Sequence, residues 1–197
     1  LTVTGDVSVT GTLTGNESAI SMGSLTIESA GTYSATNQTT TLTGEKDYWC
    51  LDVKDGGTFT HNNGMVLVTT NTNTIIRGME GDDTSGSGAN ALNRLQVELG
   101  DADYRLNLDP VSGTSHTIKG NVTVAEGSFL PDDHAHTLTI EGDVSVESGG
   151  ILGHADRTGN DTFGSLTIAS GGTAIATSGT TTINGAATGV KLTNTGT

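Results

Sequence analysis

The stretch His116-Thr-Ile-Lys-Gly-Asn-Val-Thr-Val-Ala-Glu-Gly-Ser-Phe-Leu130 is restated as Leu138-Thr-Ile-Glu-Gly-Asp-Val-Ser-Val-Glu-Ser-Gly-Gly-Ile-Leu152. Ile118 matches Ile140, Gly120 matches Gly142, and Val122 and Val124 match Val144 and Val146, each 22 residues on. A repeat of that length is one turn of a solenoid. Within each copy apolar and polar residues alternate, which puts Leu138 and Ile140 on one side of a strand and Thr139 and Glu141 on the other. Two short strands cannot bury their own apolar side. Stacking the next copy about 4.8 Å above pairs the backbones and lays Val on Val and Ile on Ile. The reading is all-β: a parallel β-solenoid, expected to be right-handed, with coils of about 17–26 residues and roughly nine of them in a rod on the order of 40 Å long.

Composition agrees. The chain has 197 residues, 29 Gly, 2 Pro, 32% hydrophobic and 4% aromatic residues. A globule around one core uses more large apolar side chains, whereas a solenoid needs only a thin apolar strip per coil. A β-sandwich or a disordered Thr/Gly/Ser linker would have similar composition, but repeated apolar positions argue against disorder. The net charge of −14 repels phosphate and anionic lipid, so nucleic acid and membrane insertion are not expected. No apolar run is long enough for a membrane-spanning helix. Cys50 is the single cysteine and lies in an apolar run beside Trp49, which suits a buried free thiol. The first residues already read as a strand and the last stay in pattern, so a segment of a longer protein is expected.

Along the chain, one array over 1–197 is expected, with 1–45 and 138–186 as related copies. Leu1-Thr-Val-Thr-Gly-Asp-Val-Ser-Val matches Leu138-Thr-Ile-Glu-Gly-Asp-Val-Ser-Val, Gly23-Ser-Leu-Thr-Ile matches Gly164-Ser-Leu-Thr-Ile, and Thr39-Thr-Thr-Leu matches Thr180-Thr-Thr-Ile. Expected inward positions are Leu1, Val3, Val7, Val9, Leu25, Ile27 and Leu42, then Leu166, Ile168, Ile175, Ile183, Val190 and Leu192. The middle, 46–109, reads as irregular coils with insertions. Gly100-Asp-Ala-Asp is either a hairpin or a coil corner. The few aromatics gather in this region, and Tyr48, Trp49, Phe59 and Tyr104 are the candidate surface-binding residues, since function tends to sit where a repeat scaffold is decorated.

Candidate chemistry is sparse. Asp132, Asp133, His134 and His136 follow Pro131, and two His at i, i+2 on a strand face the same way, as a metal site would need; a polar turn explains the same residues. Asp82, Asp83, Asp101 and Asp103 sit in acidic glycine-containing loops able to offer oxygens to Ca2+, without the spacing of a known calcium loop; no cofactor is otherwise expected. The same acids with Asp109 are what a sugar-cleaving solenoid would draw on, but no spacing pins a pair. Thr-x-Thr recurs at Thr2/Thr4, Thr10/Thr12/Thr14, Thr58/Thr60 and Thr137/Thr139, though not at one fixed place in the coil. That fits exposed strand residues better than an ice-binding array. Four Asn-x-Ser/Thr triplets arise in a Thr-rich chain by composition alone.

Gly-Asp-Val-Ser-Val, Gly-Asn-Val-Thr-Val and Gly-Ser-Leu-Thr-Ile, with Gly-Gly-Thr between, resemble the repeats of virion fibre and tail proteins of tailed phages. They are also similar to bacterial secreted adhesins with β-helical stalks. The resemblance implies a stiff extracellular or virion-surface rod that displays a host- or surface-binding face. Its implied partners are other virion or surface proteins and a cell-surface glycan, and it implies a homo-oligomer, commonly a trimer. The first expectation is a structural and binding segment of a phage appendage (fibre, tail spike or capsid decoration). A bacterial adhesin or matrix protein is the alternative, and a polysaccharide depolymerase stands third.

Overall fold

Short strands of alternating polarity, each ended by glycine or a polar turn, can bury apolar surface only against copies of themselves. The structure, a computed structural model, describes residues 1–79, 90–109, 115–131, 135–185 and 192–196. Among them every strand-to-strand pairing is parallel. The chain is a parallel β-solenoid. Asp82, Asp83, Asp132, Asp133, His134 and Val190 lie outside the described residues.

Three ladders define three faces. Face A runs through Ile20–Met22, Thr39–Leu42, Met65–Val68 and Arg94–Glu98 into the longer strands Val122–Pro131, Thr137–Val146 and Asp161–Ile168, ending at Leu192–Asn194. Face B begins at Val7–Val9, Leu25–Ile27 and Trp49–Val53 and continues through Thr74–Arg77 and Arg105–Asp109. Face C begins at Thr12–Thr14, Thr32–Ser34 and Thr58–Thr60. It resumes at Ser115–Ile118, and from there shares long strands with face A.

On face A one outward column reads Ser21, Thr41, Leu67, Gln96, Thr123, Ser145, Thr167 and Thr193, so successive turns take 20, 26, 29, 27, 22, 22 and 26 residues. That is seven turns between strands, and Thr2 bridges Ser21 one 19-residue turn below them, a ladder about 38 Å long at about 4.8 Å per rung. The expected nine coils of 17–26 residues were therefore slightly too many and too uniform. The two longest turns contain 80–89, and Gly100–Asp103 with 110–114. Gly100–Asp103 is a coil corner: the strands that flank it pair with the coils above and below and not with each other.

The inward columns form the core. Met22, Leu42, Val68, Val97, Val124, Val146 and Ile168 stack in register, and Ile118 lies on Ile140. All are buried. The end rungs have a neighbour on one side only, so Leu1 and Leu192, expected inward, are exposed, and Val3, Val7, Ile175 and Ile183 are half-buried. Cys50 is buried and unpaired, and burial pushes its thiol up to about 12, which keeps it protonated.

The repeated Gly-Asp/Asn/Ser dipeptide is a corner device. A Cβ on Gly142 would lie 2.4 Å from the backbone of Gly120, and one on Gly164 would lie 2.5 Å from the Gly142 carbonyl oxygen. Only glycine lets consecutive coils close here. The next residue ties the coils together: Asp143 N donates to Asn121 Oδ1 at 2.9 Å, and Ser165 Oγ donates to Asp143 Oδ1 at 2.7 Å. Near the N-terminus Ser24 Oγ donates to Asp6 Oδ1 at 2.8 Å in the same way. The two copies nevertheless mount this device on different corners. Val7–Val9 is on face B, whereas its sequence match Val144–Val146 is on face A. The related ends thus share a strand–glycine–strand unit but not its place around the axis.

Candidate functional site

Lys46 and Trp49 form a tight antiparallel bridge, each backbone N donating to the other's carbonyl at 3.0 Å. The two residues between them, Asp47 and Tyr48, have φ of 54° and 77°. Paired positive φ is the signature of a two-residue turn that normally takes Asn-Gly or Asp-Gly. A tyrosine with φ well above zero is strained, by about 1 kcal/mol or more. The turn projects the Tyr48 ring outward, and it is 72% exposed. Among the described residues the other exposed large apolar side chains are Leu1 and Leu192, on the end rungs. Tyr48 alone of the three stands on the wall of the rod.

Directly behind the turn, face B carries an aromatic–cation cluster. The Arg77 guanidinium lies 4.0 Å from the centroid of the half-buried Trp49 ring, and the Lys54 ammonium lies 5.0 Å from it. Arg77 sits over Asp52 in register and grips its carboxylate with two bonds, Nε to Oδ1 at 2.8 Å and Nη2 to Oδ2 at 3.0 Å. Lys54 contacts the same carboxylate. Asp52 is buried, so both cations are drawn onto one anchor and held against the indole. The result is a platform of Trp49, Lys54 and Arg77 beside the exposed Tyr48, on a chain of net charge −14. Aromatic faces beside cationic donors suit a sugar or an acidic sugar better than an apolar ligand.

The other aromatic candidates part company with this pair. Phe59 is buried on face C against Tyr33, ring centroids 5.7 Å apart, and is removed from the surface-binding set. It reads as exposed in a polar Thr-Phe-Thr run, but alternation points it inward. Tyr104 is half-buried and packs against the core at the same corner, two coils further on. Sequence reasoning missed Asp52, Lys54 and Arg77. The only signal was a charged residue closing each of two neighbouring strands.

The weaker candidates scatter. Asp101 and Asp103 are exposed in the corner loop, where Asp103 N donates to Asp101 Oδ1 at 2.9 Å. Asp109 lies on face B in register with Arg77. His136 is half-buried beside a polar cluster inside the coil. There His116 stacks under Leu138, which in turn lies under Asp161. The rings of His116 and His136 are 5.7 Å apart. Arg157, almost fully buried, pairs with Asp161 and donates Nη2 to the His136 carbonyl at 3.0 Å. Burial, then the neighbouring His136, depress His116 to about 4; a backbone hydrogen bond at Met79 opposes this in part, and the Arg157 cation adds a smaller push downward. Burial also raises Asp161, against the pull of Arg157. A fixed cation amid two imidazoles makes this a poor cradle for a divalent metal. Among the described residues no three His, Cys, Asp or Glu side chains converge as a metal site would require.

No protein-family model matches the chain, and no match is found among the curated proteins or the solved structures.

Proposed function

We propose that this chain is a structural and binding segment of a phage virion appendage, a fibre, tail spike or capsid decoration, and that the Tyr48–Trp49 platform is its contact with a host-cell glycan. The observation that carries the reading is the strained, solvent-facing Tyr48 set on the wall of a parallel β-solenoid scaffold. Continuous backbone ladders resist bending without supplying chemistry. A backbone conformation that glycine would hold more comfortably is kept by an aromatic ring with no packing role, and strain of this kind accumulates at binding sites. On a chain of net charge −14, Lys54 and Arg77 offset Asp52 and Asp109 and leave this patch without the repulsion that the acidic remainder meets at an acidic cell envelope.

The test separates binding from folding. Tyr48→Gly should raise stability by about 1 kcal/mol, because glycine accepts φ near 77° without strain. The same substitution should abolish adhesion of the labelled chain to bacterial cells or immobilised envelope polysaccharides. Trp49→Ala should weaken adhesion as well. A parent chain that adheres to no such surface, or a Tyr48→Gly variant that adheres as well as the parent, would remove the platform from the account.

A further inference from the structure

Face C carries a second, different surface. Its outward positions stack as Thr12–Thr32–Thr58 and Thr14–Ser34–Thr60, and after a break at 90–92 as Thr117–Thr139–Thr162–Thr182 with Ser115–Thr137 beside it. These twelve positions are ten Thr and two Ser, all half- or fully exposed and none charged. Thr supplies 36 of the 197 residues, so composition alone would put about two on such a set. The outward residues of faces A and B are mixed and include Asp52, Arg77, Arg94, Glu98, Arg105 and Asp109. The scattered Thr-x-Thr pairs of the sequence, which fall at no fixed interval, are brought into register within each block because the face C strands pair without register shifts from Thr12–Thr14 to Thr58–Thr60 and from Ser115–Ile118 through 137–140 and 161–163 to Thr181–Ile183.

We infer that face C binds ice, that is, an ordered water lattice. Three properties select that ligand. The twelve columned positions are uncharged in a chain of net charge −14, and the charges next to them at the corner, Lys119 and Glu141, are paired with each other at 2.8 Å, so the columns offer little to an ion or a charged polymer. No aromatic side chain points outward from these strands, so a sugar ring has nothing to stack on. What remains is one hydroxyl per position and a methyl at the ten Thr, repeated about 4.8 Å along the axis and about 7 Å across the strand. β-Branching fixes each rotamer. Beneath the first three rungs the inward residues Leu13, Tyr33 and Phe59 lock the sheet, with Tyr33 and Thr40 sharing a hydroxyl–hydroxyl bond of 2.9 Å. A flexible ligand has no use for a fixed two-dimensional repeat; a crystalline one does. Methyls that hold water in place and hydroxyls that anchor it present that water already spaced.

The experiment is thermal hysteresis and ice-crystal shaping by the 197-residue chain. The parent should hold freezing below melting and facet the crystals. The double variant Thr32→Lys, Thr139→Lys should lose both effects, while Ser145→Lys on face A should keep them, with all three melting alike by circular dichroism. No hysteresis and no faceting by the parent would overturn the inference. So would full activity in the double variant, or retention of the parent on crystalline cellulose or chitin without any effect on ice.

Discussion

Val144→Asp is expected to lower folding stability by more than about 4 kcal/mol, read as a shift in the denaturant midpoint. Val144 is 1% exposed and is clamped between Val122 below and Leu166 above. A carboxylate there has no cation and no donor within its column, so it would be buried unpaired or would drag the coil open. Ser145→Asp, the next residue on the same strand, points outward and should change stability by less than about 0.5 kcal/mol. In a solenoid each coil leans only on its neighbours, so the loss should be local, opening the turns around Val144 before the rest. A Val144→Asp chain that unfolds at the parental midpoint would mean that the columns do not hold the rod together.

The second large effect is acid sensitivity. His116 is 1% exposed and its protonation is pushed down to about 4 from an ordinary value near 6.5. The folded chain therefore holds this imidazole neutral, while the unfolded chain charges it below about pH 6.5. The stability it contributes is fully present above that pH and is lost as pH falls toward 4, by up to about 3 kcal/mol. The titratable and charged groups facing it are His136 and Arg157, and Asp161 pairs with Arg157 two coils up. Asp161 is raised, so its own titration opposes the loss in part. His116→Leu, which would stack on Leu138, should flatten the stability profile between pH 7 and pH 4.5 and raise stability at pH 5. A parental profile flat over that range, or an equal slope in His116→Leu, would show that the imidazole is not what acid attacks.

The inward valines and isoleucines were legible in the sequence because period-2 alternation survives any change of loop length. Ile118 over Ile140 needed only the 22-residue match. The corner role of Gly-Asp was half legible: glycine announces a turn, but the relay from Asn121 to Asp143 to Ser165 needs three coils in register. Tyr48 was visible as a rare aromatic, while its strained turn was not, because Asp-Tyr has no turn signature. Asp52 and Arg77 lie 25 residues apart and meet only through the ladder. The threonine columns escaped for the opposite reason. Their residues were plain to see, but turns of 20 to 29 residues hid the common phase. Arg157 and Asp161 carry no signal in the sequence; only the fold shows that Arg157 closes over a polar interior.

The shifted placement of Val7–Val9 and Val144–Val146 has a consequence for how such a rod is specified. Kinship between segments and position around the axis are separate records. A fragment can keep its ancestry letter by letter while the winding carries it from one wall of the prism to the next. Because two walls accept the same strand and two corners the same glycine, the scaffold does not fix which of them a segment takes. The exterior registers the choice, since a ring or a hydroxyl turned through one corner faces a different world.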